Sequence, residues 1–352
     1  MTSTLRLPKG WRRMAVLCIA LGIVGLVGGG LIAPRRALSA ALSNFSLLAG
    51  IAQAGVIFAA ILFVTGARWD GPLRQMGLRF GTFLPAALGL FALLALAGSR
   101  WAGAVEHGRW PAAGVLLRDG AILTLLLGLS RSFDRSLAQS PHRGSGSGRR
   151  ARVLAPLLLI AYAYGWSWLA FDLLMGLAPE FVSTLFGAFV FIGNLYGALA
   201  ALALTAALLA RAPAGAALAP PQRLHDLGKL LFAFCLLWTY LLFSQILPIW
   251  YGNLPHETGY LVDRMTAPWS VWGWIMMLAG FGLPFVLLLG RAGKRRPALL
   301  ASASVSVLFA LWLERSLMVA PALSGAPPWG WIELSVALGS AGAFTLCVSR
   351  GP

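Results

Sequence analysis

The sequence predicts an all-α, polytopic membrane protein with ten transmembrane helices, and three observations carry this prediction. Of its 352 residues, 59% are hydrophobic and only 11% are charged, whereas about a quarter of the residues in a soluble domain are charged. Ten apolar runs are each close to the ~20 residues that a helix needs to cross a bilayer. Lys and Arg are concentrated in alternate connections between these runs, which is typical of positive-inside topology.

The ten apolar runs define the predicted spans, which alternate in direction across the membrane. They cover residues 14–33, 45–66, 81–98, 112–131, 153–176, 182–210, 227–249, 269–290, 297–319 and 329–349. Only five of the 28 Lys and Arg residues fall in the connections on one side, namely Arg35, Arg36, Arg100, Arg109 and Arg264. Apart from Arg118 and Arg315, which lie inside spans, the others share the opposite side with both termini. We therefore expect a multi-pass protein of a bacterial inner membrane with both termini in the cytoplasm.

Composition and residue placement exclude several classes of protein. The net charge of +17 does not indicate nucleic-acid binding, because the basic residues lie in short connections rather than along one face. Cys18, Cys235 and Cys347 lie in apolar runs and form no C-x-x-C pair, which argues against iron–sulfur clusters and c-type haem. None of the four histidines is predicted to lie in mid-membrane, so a bis-histidine haem b is not expected either. We expect no bound metal or haem in this chain.

The connection at residues 245–264, QILPIWYGNLPHETGYLVDR, gathers polar side chains between spans 7 and 8 on the predicted outer, periplasmic side. Charge and hydrogen-bonding groups at a hydrocarbon boundary are costly, so their concentration indicates a site or a docking surface. Pro248, Gly252 and Pro255 predict a bent, non-helical path for this connection.

Two short patterns occur twice, four spans apart. W-x-G-x-[VL]-x-H occurs at Trp101–His107 and Trp250–His256, and apolar-acid-x-x-[ML]-x-x-A-P occurs at Phe171–Pro179 and Leu313–Pro321. Partners four spans apart share one orientation, which indicates a parallel duplication. We therefore predict two four-helix bundles, spans 2–5 and 6–9, with spans 1 and 10 outside. The corresponding segments are 1–44, 45–176, 177–321 and 322–352.

Ionisable residues inside or beside the spans are the candidate functional residues, because charge in lipid is costly. Those at the ends of spans 5 and 9, on the predicted outer side, form a candidate proton relay: Asp172, Glu314 and Arg315. Others on the same side are candidates for contact with a quinol or for docking: Arg118, Asp119, Gln245, Trp250, Glu257 and Arg264. Three residues at the inner start of span 7 are candidates for proton entry: His225, Asp226 and Lys229.

The outer candidates have structural alternatives. Asp172 can pair with an arginine such as Arg118 only to hold helices together, and Glu314 can pair with Arg315 for the same reason. Arg118 and Asp119 are adjacent in sequence, so they point to different sides of a helix and need partners elsewhere.

Polar residues elsewhere have simple structural interpretations too. Asp226 is expected to be the N-cap of span 7. The functional alternative is that Asp226 marks a cytoplasmic proton entrance. Asn194 and Tyr196, in the middle of span 6, are expected to bond a neighbouring helix rather than a ligand.

Three stretches resemble one protein family. FDLLMGLAPEFVSTLFGAFVFIGNLYG at Phe171–Gly197, HDLGKLLF at His225–Phe232 and QILPIWYGNLPHET at Gln245–Thr258 are similar to the NrfD-like, polysulfide-reductase-type membrane subunits. The greatest similarity is to the second such subunit of alternative complex III, and it extends from span 2 to span 9. His256 departs from the family's usual P-E-E-T loop and leaves Glu257 as the only carboxylate at that point.

The resemblance implies ten spans in two four-helix bundles and no metal in the subunit itself. It implies a subunit of a quinol:cytochrome c (or other periplasmic acceptor) oxidoreductase, with menaquinol or ubiquinol as substrate and proton translocation through the bundles. The implied partners are periplasmic iron–sulfur and haem c subunits, a sister NrfD-like subunit and membrane lipids. Two other classes stay open: a structural membrane anchor for the redox subunits, and a secondary transporter, which the low number of midplane charges disfavours.

Overall fold

The computed structural model describes residues 9–67, 72–101, 111–139, 146–211, 219–325, 327 and 329–350, and these ranges contain helices and no strand. The helices are α1 Lys9–Ile32, α2 Pro34–Val64, α3 Pro72–Phe80, α4 Leu84–Trp101, α5 Ala113–Ala138, α6 Gly146–Leu173, α7 Phe186–Arg211, α8 Pro221–Gly252, α9 Pro255–Met265, α10 Ser270–Met277, α11 Leu283–Leu289, α12 Arg291–Arg295, α13 Pro297–Leu323 and α14 Trp331–Arg350. A π-helical turn, Leu278–Gly282, joins α10 to α11.

Ten segments of the described chain are long and apolar enough to cross a membrane, which confirms the predicted fold class and the number of spans. Each predicted apolar run falls on one of them. Helices α3 and α4 together form the third span, and α10, the π turn and α11 form the eighth. The short helix α9 lies between spans 7 and 8 and α12 between spans 8 and 9, so they mark opposite ends of the protein, named here the α9 end and the α12 end.

Helices α2, α7 and α13 form the centre of the protein. Helix α2 packs against α3, α4, α6, α7, α13 and α14, while α7 also contacts α6, α8 and α13. Glycine permits this close approach: a Cβ added to Gly50 of α2 would lie 2.3 Å from Asn194 Oδ1, and one on Gly197 of α7 would lie 2.8 Å from Ile51 Cγ1. Lipid is as apolar as leucine, so helices in a bilayer associate through such backbone proximity and through polar contacts. Because α2 and α7 contact helices of both predicted bundles, the division into two bundles stays a prediction.

Helices α1 and α14 pair at the periphery and also contact α2. Gly22 and Gly339 face each other at the crossing, where a Cβ added to Gly22 would lie 2.6 Å from Gly339 Cα. The rest of α1 presents exposed apolar side chains, including Leu17 and Leu31. Such a surface fits contact with lipid.

The connection at residues 245–264 is mostly helical, so the predicted non-helical path is wrong. Helix α8 continues through Pro248 to its end at Gly252, and α9 begins at Pro255. The break is confined to Asn253, which has a φ of 47°, and the residue after it. A proline near the last turn disturbs few hydrogen bonds, and a proline at the first helical position disturbs none. Asparagine tolerates the left-handed conformation that ends a helix.

Candidate functional site

Glu314 and Arg315 form an ion pair that is buried in the middle of the protein. Both side chains project from α13 with 3% and 0% of their surface exposed, and Arg315 Nη1 lies 2.7 Å from Glu314 Oε1. Glu314 lies only four residues, about 6 Å, past Ala310 at the middle of α13. The predicted position near the end of span 9 is therefore wrong, because α13 continues to Leu323. The pair therefore lies about nine residues before the end of the helix.

Acceptors on α7 and α13 hold the Arg315 guanidinium. Nη2 donates to Val190 O at 3.2 Å and to Asn194 Oδ1 at 3.1 Å, while Nη1 lies 3.5 Å from Met318 Sδ. Gly193 makes room for the group, since a Cβ there would lie 3.2 Å from Nη2. The Nε atom has no acceptor among the described residues. The expectation that Asn194 bonds a neighbouring helix is confirmed.

Trp238 connects the Glu314 carboxylate to the π turn in span 8. This fully buried side chain of α8 donates its Nε1–H to Glu314 Oε2. Its ring packs on Gly280, where an added Cβ would lie 3.0 Å from the indole. Tyr196 OH donates to Gly280 O at 2.8 Å, which confirms that Tyr196 also bonds a neighbouring helix.

The π turn has a chemical cause in Pro284. In an α-helix the amide at position 284 would donate to Gly280 O, and proline has no N–H. Gly280 O accepts the Tyr196 hydroxyl instead, and Ala279 O accepts Ser306 Oγ at 2.7 Å. Side chains of α7 and α13 thereby satisfy carbonyls that the helix itself leaves free. Turns of this kind often occur at functional sites.

Helix α9 covers the turn of α13 that follows the buried ion pair. Tyr260 stacks on Phe181 with ring centroids 3.8 Å apart, and the Arg264 guanidinium lies 3.5 Å over the Tyr260 ring. Arg264 Nε donates to Leu317 O at 3.0 Å and Nη2 to Met318 O at 3.4 Å. Burial raises the pKa of Tyr260 and lowers the pKa of Arg264. These contacts attach α9 to the spans at a point one turn from the carboxylate.

Arg118, Asp119 and Asp172 form a second cluster at the α9 end, between α5 and α6. Arg118 Nη2 contacts Asp172 Oδ2, and its Nε lies 3.7 Å from Asp119 Oδ1. Asp119 is completely buried and close enough to Asp172 to interact with it, but its oxygens accept no hydrogen bond from the described part of the chain. The partly exposed Arg118 lies 5.0 Å from the Trp168 ring centroid. Asp172 pairs with Arg118, the partner that the structural alternative named, and the cluster has two carboxylates for one guanidinium.

The candidates for proton entry lie at the α12 end, on the first turns of α8. Asp226 forms an ion pair with Lys229 at 2.7 Å. Its predicted role as N-cap is wrong, because α8 begins at Pro221 and Asp226 lies inside the helix. Proline is favoured at the first helical position, so the helix starts earlier than the apolar run. His225 is half-buried beside this pair, and the pKa of the nearby Lys294 is lowered by burial and then by the charge of Lys229.

The remaining candidates do not form one cluster with the Arg118 group. Gln245 is buried in α8, Trp250 is 71% exposed and Arg264 contacts α13, while the side chain of Glu257 lies outside the described part of the structure. Among the described residues, no hydrogen bond or ion pair joins Arg264 to Arg118, Asp119 or Asp172.

Sequence reasoning missed Trp238 and Tyr260, which contact or approach Glu314. An indole or a phenol inside an apolar run is more often a packing or interface residue, so neither position stood out. Pro284 was a usable signal, because a proline inside a span predicts a carbonyl that needs another donor.

Comparison with known proteins places the chain in no family. No family model matches it, and no curated protein is significantly similar to it. The described residues contain no group of three or more His, Cys, Asp and Glu side chains that could hold a metal ion. The fold and its ten candidate spans define an integral multi-pass membrane protein. Its candidate site consists of a central ion pair and an acidic cluster at the α9 end.

Proposed function

We propose that the chain is a membrane subunit of a respiratory quinol oxidoreductase of alternative complex III type, contributing to quinol binding, to proton translocation, or to both. The observation that carries the proposal is the Glu314–Arg315 pair in the middle of the protein. Removing two charges from water costs several kcal/mol per ion, so such pairs in membrane proteins commonly have a use. Three stretches that resemble NrfD-like subunits point to the same assignment, while no family model matches the chain. The proposed location is a bacterial inner membrane, with both termini cytoplasmic and the α9 end periplasmic.

A line of polar side chains leads from the α9 end to the centre and supports a role in proton transfer. Tyr260 of α9 stacks under Arg264, which donates to the turn of α13 after Glu314, and Arg315 connects that carboxylate to Asn194. Tyr162 of α6 approaches Asn194 and donates its hydroxyl to a carbonyl of α7. Arg315 Nε and Asn194 Nδ2 have no hydrogen-bond partner among the described residues, and Glu314 Oε1 has only its ion-pair contact with Arg315 Nη1. Buried polar atoms of this kind bind ordered water, through which a proton passes between fixed groups.

The acidic cluster at the α9 end supports a role in taking up protons from a quinol. Oxidation of a quinol to a quinone releases two electrons and two protons. Asp119 and Asp172 share the single Arg118 guanidinium, and two carboxylates so placed can hold one proton between them. The Asp172 side chain is 18% exposed, so a hydroxyl at the edge of the protein can reach it. We assign the Asp172 carboxylate the role of proton acceptor.

The electrons pass to other polypeptides in this proposal. The sequence has no cysteine cluster and no haem-ligand pair that would accept them one at a time. The proposed acceptors are periplasmic iron–sulfur and haem c subunits, which dock at the α9 end beside a sister NrfD-like subunit. The ligand of the chain itself is the quinol, and lipid surrounds the spans.

The test is the activity of the complex purified from native membranes in mild detergent and reconstituted in proteoliposomes. Asp172→Asn and Glu314→Gln should each assemble with haem and iron–sulfur subunits, because the new amide keeps an oxygen that accepts from Arg118 or Arg315. Each should lower quinol-driven reduction of cytochrome c, or the proton release coupled to it, by at least about a hundredfold, as loss of a general base does. Asp134→Asn, the same chemical change at an exposed position near the α12 end of α5, is the matched control and should leave both rates unchanged.

Two results would count against the proposal. Normal turnover and coupling in assembled complexes of both variants would leave the chain as a structural anchor for its partners. Isolation of the chain as a colourless, active homo-oligomer without redox subunits would favour a secondary transporter. The structure offers one observation for that second function: span 8 is interrupted by a π turn that packs against Trp238, the hydrogen-bond donor to Glu314, and transporters bind substrates near such interruptions.

A further inference from the structure

Four aromatic side chains form a cluster between the α9 end and the middle of α13, where span 8 faces α13 and the segment before α14. The ring centroids of Trp272 and Trp329 are 4.7 Å apart, and those of Trp312 and Trp329 are 5.7 Å apart. Phe309 lies 6.1 Å from Trp312 and 6.3 Å from Trp329. The cluster therefore draws on α10, α13 and the connection between spans 9 and 10.

Two indole N–H groups of this cluster have no acceptor within the described ranges of the chain. Nε1 of Trp312 and Nε1 of Trp329 are buried and make no hydrogen bond to any described residue. Trp312 has only 9% of its surface exposed. A buried donor without a partner costs about 1–3 kcal/mol, so two of them in one cluster need an explanation.

An ion pair holds one side of the cluster in place. Arg36 of α2 donates to Glu333 of α14 at 2.8 Å and 2.9 Å, and its Nη2 also lies 3.5 Å from Trp329 O. A Cβ added to Gly330 would lie 2.4 Å from this guanidinium, so the segment that carries Trp329 passes close to it. The backbone at Trp329 and Gly330 is therefore positioned by contacts to α2 and α14.

We infer that this cluster binds the ring of a quinone that enters from the lipid phase. Flat aromatic walls stack on a flat ring, and unpaired N–H donors beside them fit its carbonyl oxygens. Trp272, Phe309 and Trp329 are only partly buried, so the cluster has surface that a ligand can reach. An ester carbonyl of a phospholipid satisfies one donor but offers no ring to stack. The inference rests on the proposed function because it takes a quinone as the ligand. It goes further because it places a binding site for the quinone ring in this chain.

The test is photolabelling of the full chain in nanodiscs made from quinone-free phospholipids. The probe is a short-chain azidoquinone, with unlabelled ubiquinone and menaquinone analogues as competitors. The label should map to peptides of α10, α13 or the segment at residues 325–330, and an unlabelled quinone should displace it. Trp312→Phe with Trp329→Phe keeps aromatic rings but removes both donors. Loss of two neutral hydrogen bonds should weaken the competition about tenfold.

The controls separate the proposed site from packing and from the function of a complex. Trp274→Phe changes an exposed indole outside the cluster and should label like the wild-type chain. The two single variants carry the test if the double variant does not accumulate in membranes.

Three outcomes would overturn the inference. The first is labelling spread over all spans that unlabelled quinone does not displace, which would mean only partition into lipid. The second is that unlabelled quinone displaces the label from the double variant as well as it does from the wild-type chain. That result would mean that each indole N–H faces a neighbouring aromatic ring and not a ligand. The third is displacement by added phospholipid alone, which would make the ligand an ester carbonyl. Binding needs no redox partner, so failure here is distinguishable from failure to co-purify with redox subunits.

Discussion

At the scale of single residues, the central question is how a carboxylate and a guanidinium are kept so far from water. Glu314 receives the Trp238 N–H and contacts Arg315, which in turn donates to Val190 O and Asn194. Neighbours on a helix point about 100° apart, so the long arginine side chain must turn back to reach the acid. The pair is stable only as long as each member neutralises the other.

We expect Arg315→Met to destabilise the protein by about 3–5 kcal/mol, because it leaves Glu314 as an unpaired buried charge. Adding Glu314→Gln to that variant should recover a large part of the loss. The measurement is a double-mutant cycle of unfolding free energies in detergent. Lys229→Met, which breaks an exposed pair with Asp226, is the control and should cost at most about 1 kcal/mol. Additive losses from the two buried substitutions would contradict this interpretation.

Gly50 is expected to be intolerant of any side chain. Gly50→Ala would place a Cβ 2.3 Å from Asn194 Oδ1 and push that amide off Arg315, with an expected loss of about 1–3 kcal/mol. Gly128→Ala, with no atom within 4 Å of its Cβ, should be neutral or slightly stabilising in its helix. Thermal unfolding of the two variants compares them directly, and equal midpoints would show that the centre is less tightly packed than the structure indicates.

At the scale of elements, span 8 depends on hydrogen bonds from its neighbours. Pro284 cannot donate to Gly280 O, and Tyr196 of α7 supplies the missing donor. Ser306 of α13 does the same for Ala279 O. The π turn is thus a property of three helices together, and it positions Gly280 beneath Trp238.

This origin of the π turn predicts a coupling between Tyr196 and Pro284. Tyr196→Phe should cost about 1–3 kcal/mol in the native chain, since it leaves a buried carbonyl unpaired. In a Pro284→Ala background the amide at position 284 can bond that carbonyl, so the same substitution should cost distinctly less. Unfolding free energies of the four proteins measure the coupling. An equal cost of Tyr196→Phe in both backgrounds would mean that the proline is not the cause of the turn.

At the scale of the whole molecule, ten spans place α9 and α12 at opposite ends, and the charge distribution predicts which end faces the cytoplasm. Gly252→Cys beside α9 and Gly290→Cys beside α12 offer a matched pair of probes, because both positions are exposed and have no atom within 4 Å of an added Cβ.

In intact spheroplasts we expect an impermeant maleimide to label Gly252→Cys but not Gly290→Cys. After lysis both should react. A variant in which Cys18, Cys235 and Cys347 are replaced by alanine or serine supplies the background. Labelling of Gly290→Cys in unlysed spheroplasts would reverse the orientation and place the acidic cluster on the cytoplasmic side.

The sequence by itself determined the fold class and the number and approximate limits of the spans, because hydrophobic length is a local property that each run carries on its own. It also indicated that Asn194 and Tyr196 bond a neighbouring helix, since a polar group in an apolar run must find a partner. The ends of the helices were harder to predict from the sequence. Asp226 was expected to be a cap, but Pro221 starts α8 earlier, and the connection at residues 245–264 continues as helix.

Only the tertiary structure decided which polar groups meet. Trp238 reaches Glu314 and Arg118 reaches Asp172 through the rotation of each helix about its axis and the distance to its neighbour. In a soluble helix the apolar stripe reveals the buried face, but in a membrane span both the buried face and the lipid face are apolar. Periodicity therefore says little about rotation. The contacts of Glu314 depend on glycines such as Gly193 and Gly280, which let three helices approach one another. That packing cannot be predicted from the sequence of any one span.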